Sequence, residues 1–226
     1  MRKNLTMLHD SLKAFDNSFI TKKIKLIAGV DEAGRGPIAG PVVAAAVIFS
    51  KDTILEGVND SKKLSAKQRE FLFNKIIDSA LSFGIGIVDH KEIDRINILQ
   101  ASLKSMKIAV EKLKLRPDLI LIDGNKTFYS DVPTKTIIKG DSKSFAIAAA
   151  SVIAKVIRDK LMDKASMYFP EYYWSSNKGY ATKTHIEAVK KYGASEFHRK
   201  TFLKKIIEKD YKENPPLLND LVKNNI

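Results

Sequence analysis

The chain has 226 residues, 44% of them hydrophobic, which suits one large domain, or a domain with a small appendage, with a substantial core and argues against wholesale disorder. It has no cysteine, so disulfides, thiolate zinc sites and cysteine nucleophiles are excluded. Lys and Arg number 39 against 26 Asp and Glu, a formal charge of +13, which puts a polyanionic partner in play beside the plainer reading of a generally basic surface.

Met1 to Lys25 lacks the apolar core and cleavage site of a signal peptide, and no apolar run reaches membrane-spanning length, so a soluble cytoplasmic protein is expected. Leu5, Leu8, Leu12, Phe15 and Phe19 recur at helical spacing and predict an amphipathic N-terminal helix. LIAGV then reads as a buried strand ending at Asp31, and VVAAAVIF from Val42 to Phe49 as a second. Ser65 sits where an N-cap would, ahead of a helix from about Ala66 to Leu81. FGIGIVD, Phe83 to Asp89, predicts a third strand, and Asn97 to Leu115 carries helical periodicity up to the stop at Pro117. DLILID predicts a fourth strand ending at Asp123. A short strand, TIIK, leads to Gly140-Asp141 and a long helix from Ser142 to about Ala165. From Pro170 onward the chain reads as mainly helical and basic, and Arg199 to Lys212 holds six basic residues against two acidic. Strands come first and helices dominate the second half, so the fold class is α/β or α+β.

Four carboxylates stand at element boundaries: Asp31 and Glu32, Asp123, and Asp141. Asp123 could start an Asp-Gly turn, and Asp141 could be an ordinary helix N-cap. Adjacent acids closing a buried strand, however, incur desolvation unless something compensates. Mg²⁺ or Mn²⁺ would do so, since hard cations take oxygen ligands and a few carboxylates at neighbouring strand ends can hold two ions about 4 Å apart.

GRGPIAG, which follows at once, is neither G-x-G-x-x-G nor G-x-x-x-x-G-K-[ST]. Its glycines let backbone approach a ligand, with Arg35 beside them for a phosphate, and such backbone could read the 2′-hydroxyl that separates RNA from DNA. A tight interstrand connection with an exposed arginine explains the same residues, and spacing alone leaves both readings open.

GVDEAGRGPIAGPVVAAAVI, DSKKLS at Asp60 to Ser65, IDGN at Ile122 to Asn125, KGDSKSFAIAAASVIAKVIRD from Lys139 to Asp159, NKGYATKTHIEA and FHRKTF together resemble ribonuclease HII. The blocks follow the family's order and cover roughly Leu26 to Phe202. The resemblance implies an RNase H-like mixed β-sheet flanked by helices, with a C-terminal helical portion. It divides the chain into an N-terminal helical extension (1–24), a catalytic core (25–165) and a basic, substrate-binding helical portion (166–226). It implies a monomeric endoribonuclease using two divalent ions, Mg²⁺ or Mn²⁺. The implied substrates are RNA–DNA hybrids and DNA duplexes containing ribonucleotides, cut on the 5′ side to leave 3′-hydroxyl and 5′-phosphate ends. Asp31, Glu32, Asp123 and Asp141 align with the family's catalytic, metal-holding acids. Gly34, Arg35 and Gly36 match the motif that reads the ribonucleotide, and Tyr180 the tyrosine that packs on the adjoining sugar. Ala181 follows Tyr180 where the family usually has proline, which leaves that backbone less constrained. The GRG motif and a leader of about two dozen residues distinguish the chain from ribonuclease HIII.

Lys62, Lys155 and Arg158 are candidates for phosphate contacts, Lys63 equally for a solvated loop, and Ser151 for packing. His185 and His198 are left outside the site, because a metal-activated water needs no imidazole. Tyr172, Tyr173 and Trp174 are expected to cover the core. The basic stretch from Arg199 reads as duplex-binding surface, and the PPLLNDLVKNNI tail has no assignment. The rivals are a non-catalytic nucleic-acid-binding module and a nuclease of related fold that cuts DNA.

Overall fold

The continuous apolar runs form the middle of one five-stranded sheet. Its strands are β1 (Ile27–Ala33), β2 (Val42–Ile48), β3 (Ser82–Val88), β4 (Leu119–Asp123) and β5 (Thr134–Ile137), in the order β3-β2-β1-β4-β5. In this computed structural model, residues 2–204 are described, with the side chains of residues 2–6 and 8 left aside. Strands β1, β2 and β3 pair antiparallel, whereas β4 and β5 run parallel to β1. Every residue of β2 is buried, which is why it shows no polar alternation. Helix α4 (Phe145–Tyr168) covers one face through a core with Ala45, Val47 and Phe49. Helix α3 (His90–Glu111) covers the other, where Met106 and Ala109 meet Val30, Ala44 and Ile120. This is the mixed sheet flanked by helices that the resemblance to ribonuclease HII implies.

The small residues of AIAAASVIA bring α4 very close to β1. A Cβ on Gly29 would lie 2.2 Å from the Ala146 carbonyl carbon, so only glycine fits there. The sheet register then determines where the acids fall. Val30 pairs with Ile122, so Asp31 and Asp123 each stand one residue further along neighbouring parallel strands. Asp123 in turn pairs with Ile137 on β5, three residues before Gly140-Asp141.

Several boundaries differ from expectation for local reasons. β1 continues to Ala33, so Asp31 and Glu32 lie within the ladder, opposite Ala45 and Ala44. Helix α2 (Ala66–Ser79) opens as expected with Ser65 as N-cap, in a capping box with Gln68. Helix α3 begins at His90 behind an Asp89 cap and breaks at Asn97, which has φ 67°. The Asn97 side chain accepts the Leu99 and Gln100 amides and starts the second half, where the periodicity is legible. β5 lies two residues earlier than TIIK. The N-cap of α4 is Ser144, accepting the Ile147 amide at 3.2 Å, with Gly140–Ser142 forming a 3₁₀ turn before it. Asp141 is therefore not the helix cap, and the plain explanation for that acid falls.

The N-terminal helix, α1 (Arg2–Asn17), packs onto this scaffold. Leu12 is buried against Phe145 and its neighbours, and Lys13 donates to the Ser50 carbonyl at 2.9 Å. Asp16, also buried, accepts the Ala146 amide at the start of α4 at 2.9 Å. Burial pushes its carboxyl up to about 6 against the stabilising hydrogen bonds. The folded state therefore holds this proton more tightly than the unfolded chain, and the associated stability is lost as pH rises through about 6. Urea titrations between pH 4 and 7 should show a decline in stability that is smaller in Asp16→Asn by on the order of 2–3 kcal/mol. An identical slope in the variant would remove Asp16 as the source.

At the other end, α5 (Trp174–Asn177) and α6 (Lys183–Tyr192) build a second apolar cluster with Ile38, Ala39 and Met162. Trp174 and Tyr172 are buried in it as expected, but Tyr173 is a correction. Its left-handed backbone (φ 54°) turns the ring out to solvent. Residues after Lys204, including most of the basic stretch to Lys212 and the PPLLNDLVKNNI tail, lie outside the described residues, as do the side chains of Leu5 and Leu8. Among the described residues no helix is long and apolar enough to cross a membrane.

Candidate active site

The four acids converge at the end of the sheet where β1 and β4 finish. Asp31 is only 6% exposed, and its Oδ1 accepts the Glu32 amide at 2.7 Å. Asp123 accepts the Gly140 amide at 2.6 Å, which fixes the turn carrying Asp141. Burial, reinforced by Glu32, Asp123 and Asp141, holds the Asp31 carboxyl well above the usual carboxylate range. Burial also raises Glu32, with Arg35 opposing and Asp123 adding to the rise. Burial raises Asp141 too, helped by Asp60 and Asp123 and opposed by Lys62.

Only two cations stand within ion-pairing distance of these four acids among the described residues. Arg35 Nη1 is 3.3 Å from Glu32 Oε1, and Lys62 Nζ is 3.8 Å from Asp141 Oδ2. Burial depresses the Lys62 ammonium, but Asp141, Asp60, Asp31 and Asp123 outweigh it and raise the group overall. The site thus holds more buried negative charge than its own side chains neutralise.

A pocket of about 340 Å³ joins the acids to the glycine turn. Asp31, Glu32 and Asp123 line it together with Gly34, Arg35 and Gly36, and Lys62, Ser151, Lys155, Arg158 and Tyr180 complete the wall. Roomier clefts near Phe128 and Tyr129 hold no comparable group of buried acids. Gly34 has φ +102°, and a Cβ there would sit 2.1 Å from Arg158 Nε, so the turn tolerates no side chain at that point. Tyr180 is 45% exposed, and its ring edge lies 3.4 Å from where a Gly36 Cβ would be.

The Tyr180 backbone is better anchored than Ala181 alone would suggest. Its carbonyl takes His185 Nδ1 at 2.8 Å and the Thr182 amide at 2.8 Å. The Trp174 indole donates to His185 Nε2 at 3.0 Å; an indole only donates, so Nε2 accepts and the proton sits on Nδ1, facing Tyr180. Both histidines are buried in this aromatic cluster, away from the acids.

The basic candidates separate. Lys62 projects into solvent beside Asp141 from a loop that the buried Ser61–Ser151 hydroxyl pair (2.7 Å) ties to α4. Ser151 therefore packs, as expected, while also walling the pocket. Lys155 lines the pocket but is bonded to Asp159 at 2.6 Å. Arg158 borders the pocket, but it is 1% exposed and its guanidinium donates to the carbonyls of Pro41, Ala39 and Lys178, so its partners in the structure are backbone groups. Arg199, read from sequence as surface, is likewise fully buried behind the glycine turn. No periodicity marks it, because its partners lie more than 150 residues away along the chain.

The family described as Ribonuclease HII matches residues 28–205. The chain belongs to the ribonuclease HII family.

It is 51% identical over 198 residues to "Ribonuclease HII" of Clostridioides difficile (strain 630), an overlap covering 88% of this chain and 78% of that one. The crystal structure of ribonuclease H2 from Pyrococcus horikoshii OT3 superposes with a TM-score of 0.68 at 30% identity, covering 84% and 100% of the two chains. Bst-RNase HIII, solved in complex with Mn²⁺, shares the fold at a TM-score of 0.62 and 18% identity over 84% of this chain and 72% of that one. As a ribonuclease HII the protein is a ribonuclease H endonuclease, and the non-catalytic reading is set aside.

Proposed function

We propose that this enzyme hydrolyses the RNA strand of RNA–DNA hybrids and cuts duplex DNA on the 5′ side of embedded ribonucleotides, leaving 3′-hydroxyl and 5′-phosphate ends. The observation that carries the reading is the pocket in which Asp31, Glu32 and Asp123 face the Gly34-Arg35-Gly36 turn and Tyr180, with Asp141 close enough to raise the Asp31 carboxyl.

The donor set fits hard divalent cations. It is all oxygen, it is largely buried, and three of its carboxyls are raised by that burial with neighbouring acids adding to the rise. Among the described residues no three such side chains close into a ready cage; the acids border an open pocket, as suits ions that keep water and take substrate oxygens. Asp31, Glu32, Asp123 and Asp141 would hold two Mg²⁺ or Mn²⁺ ions, and the Mn²⁺ complex of Bst-RNase HIII supports that choice. When bound, such ions make a water nucleophilic at neutral pH and offset the charge that grows on the phosphate.

The chain's own residues do the rest. Backbone at Gly34–Gly36 approaches the ribose hydroxyl, and Arg35, half exposed, can leave Glu32 for the adjoining phosphate. Lys62 adds charge on the solvent side, and Tyr180 packs against the neighbouring sugar. The test compares a duplex containing one ribonucleotide with its all-DNA counterpart. Cleavage should be confined to the first and lost in Gly34→Ala, whose added methyl collides with Arg158. Equal cutting of both duplexes would favour the DNA-cutting alternative.

A further inference from the structure

Two arginines from distant parts of the chain hold the Gly34–Pro41 turn from behind. Arg199 donates from Nη2 to the Gly34 carbonyl at 2.7 Å and from Nη1 to that of Arg35 at 3.1 Å. The same guanidinium reaches Gly40 through Nε at 2.9 Å and Pro41 through Nη2 at 3.2 Å. Arg158, on α4, donates to Pro41 at 3.0 Å and Ala39 at 3.2 Å. Its Nη1 takes the Lys178 carbonyl at 2.9 Å and so ties the turn to the segment bearing Tyr180.

Both guanidinium groups are essentially sealed from solvent, and neither has a carboxylate within ion-pairing distance among the described residues. Burial lowers Arg158 to about 10 and Arg199 to about 9, so both stay charged at neutral pH. Two like charges buried side by side are expensive, and apolar side chains would fill the same space at lower cost. What only a guanidinium supplies is a rigid fork of donors that grips several carbonyls at once. With the carbonyls of Gly34, Arg35, Ala39, Gly40 and Pro41 drawn to that side, the exposed amides of Arg35 and Gly36 donate to no protein group among the described residues. The buried charge behind the turn, only partly offset by Asp94 and Asp159, also favours an anion in front of it.

We propose that Arg158 and Arg199 are positioning residues that set the substrate preference of this site, keeping the turn's carbonyls inward so that its amides meet a ribose hydroxyl and the adjoining phosphate. The proposal rests on the functional reading above and extends it to two residues that act through the turn.

Arg199→Lys and Arg158→Lys keep the charge and lose the fork. A duplex with one ribonucleotide offers a single hydroxyl in one register, whereas a continuous RNA–DNA hybrid offers many and tolerates a misplaced turn. In each variant kcat/KM on the single-ribonucleotide duplex should fall at least tenfold further than on the hybrid. Cooperative thermal unfolding and the rise in Tm on adding Mn²⁺ should persist, since the acids are untouched. An equal fall on both substrates, or loss of cooperative unfolding in both variants, would show a merely structural role and overturn the assignment. If wild-type enzyme cuts all-DNA duplex as readily, the functional reading itself fails. If wild type is selective and both variants keep its ratio, only the arginine assignment fails.

Discussion

Asp123→Asn should abolish cleavage, by about 10³-fold or more, while leaving duplex binding within about twofold of wild type. That loss corresponds to about 4 kcal/mol of transition-state stabilisation. The substitution is nearly isosteric, and the remaining oxygen can still accept the Gly140 amide that Asp123 takes at 2.6 Å, so the turn before α4 should hold its shape. What changes is charge: one of the three acids lining the pocket becomes a neutral and poorer ligand for a hard cation. Single-turnover cleavage with Mg²⁺ or Mn²⁺, beside fluorescence anisotropy in chelator, separates the two effects. Near-normal turnover by a well-folded variant would remove Asp123 from the active centre. Parallel loss of binding would instead point to a damaged surface.

Asp31→Asn should be equally inactive and, in metal-free buffer, more stable than wild type. Asp31 is buried among Glu32, Asp123 and Asp141, and the charges around it penalise its ionised form. An amide keeps the acceptor for the Glu32 amide and removes the repulsion. The gain should be on the order of 1–3 kcal/mol, the scale of one unfavourable buried group, or about 2–4 °C in Tm per kcal/mol. The sign with pH follows from the raised carboxyl. The folded wild type binds this proton more tightly than the unfolded chain, so its stability falls as pH climbs out of the ordinary carboxylate range. The variant's advantage should therefore widen with pH in chelator and shrink when Mg²⁺ is added. A variant less stable than wild type at pH 8 in chelator would contradict this account. Such a trade, stability given up for an electrostatically strained site, is common where function needs unneutralised charge.

The sheet and its covering helices were largely legible because they rest on local signals: continuous apolar runs, the Ser65 capping box, small residues in α4. The acids were legible as odd boundary residues, and Asp31-Glu32 stood out because paired buried carboxylates lack any plain explanation. Misreadings of the elements came where a short-range backbone or capping interaction overrode the apolar periodicity. Asn97 broke a helix with its own side chain, Ser144 took the cap that Asp141 had been offered, and Tyr173 was turned outward by a left-handed backbone.

For function, residue order was enough to reveal the family, through motif blocks spread from GVDEAGRG to FHRKTF, and with it the four acids and the glycine turn. Order could not say which of the basic residues face substrate. That depends on which carbonyls happen to lie within reach once β1, α4 and the C-terminal segment are packed. Arg158 and Arg199 look like surface charge in one dimension; in three they are buried beneath GRGPIAGP, because the turn's backbone needs donors that only distant parts of the chain can bring.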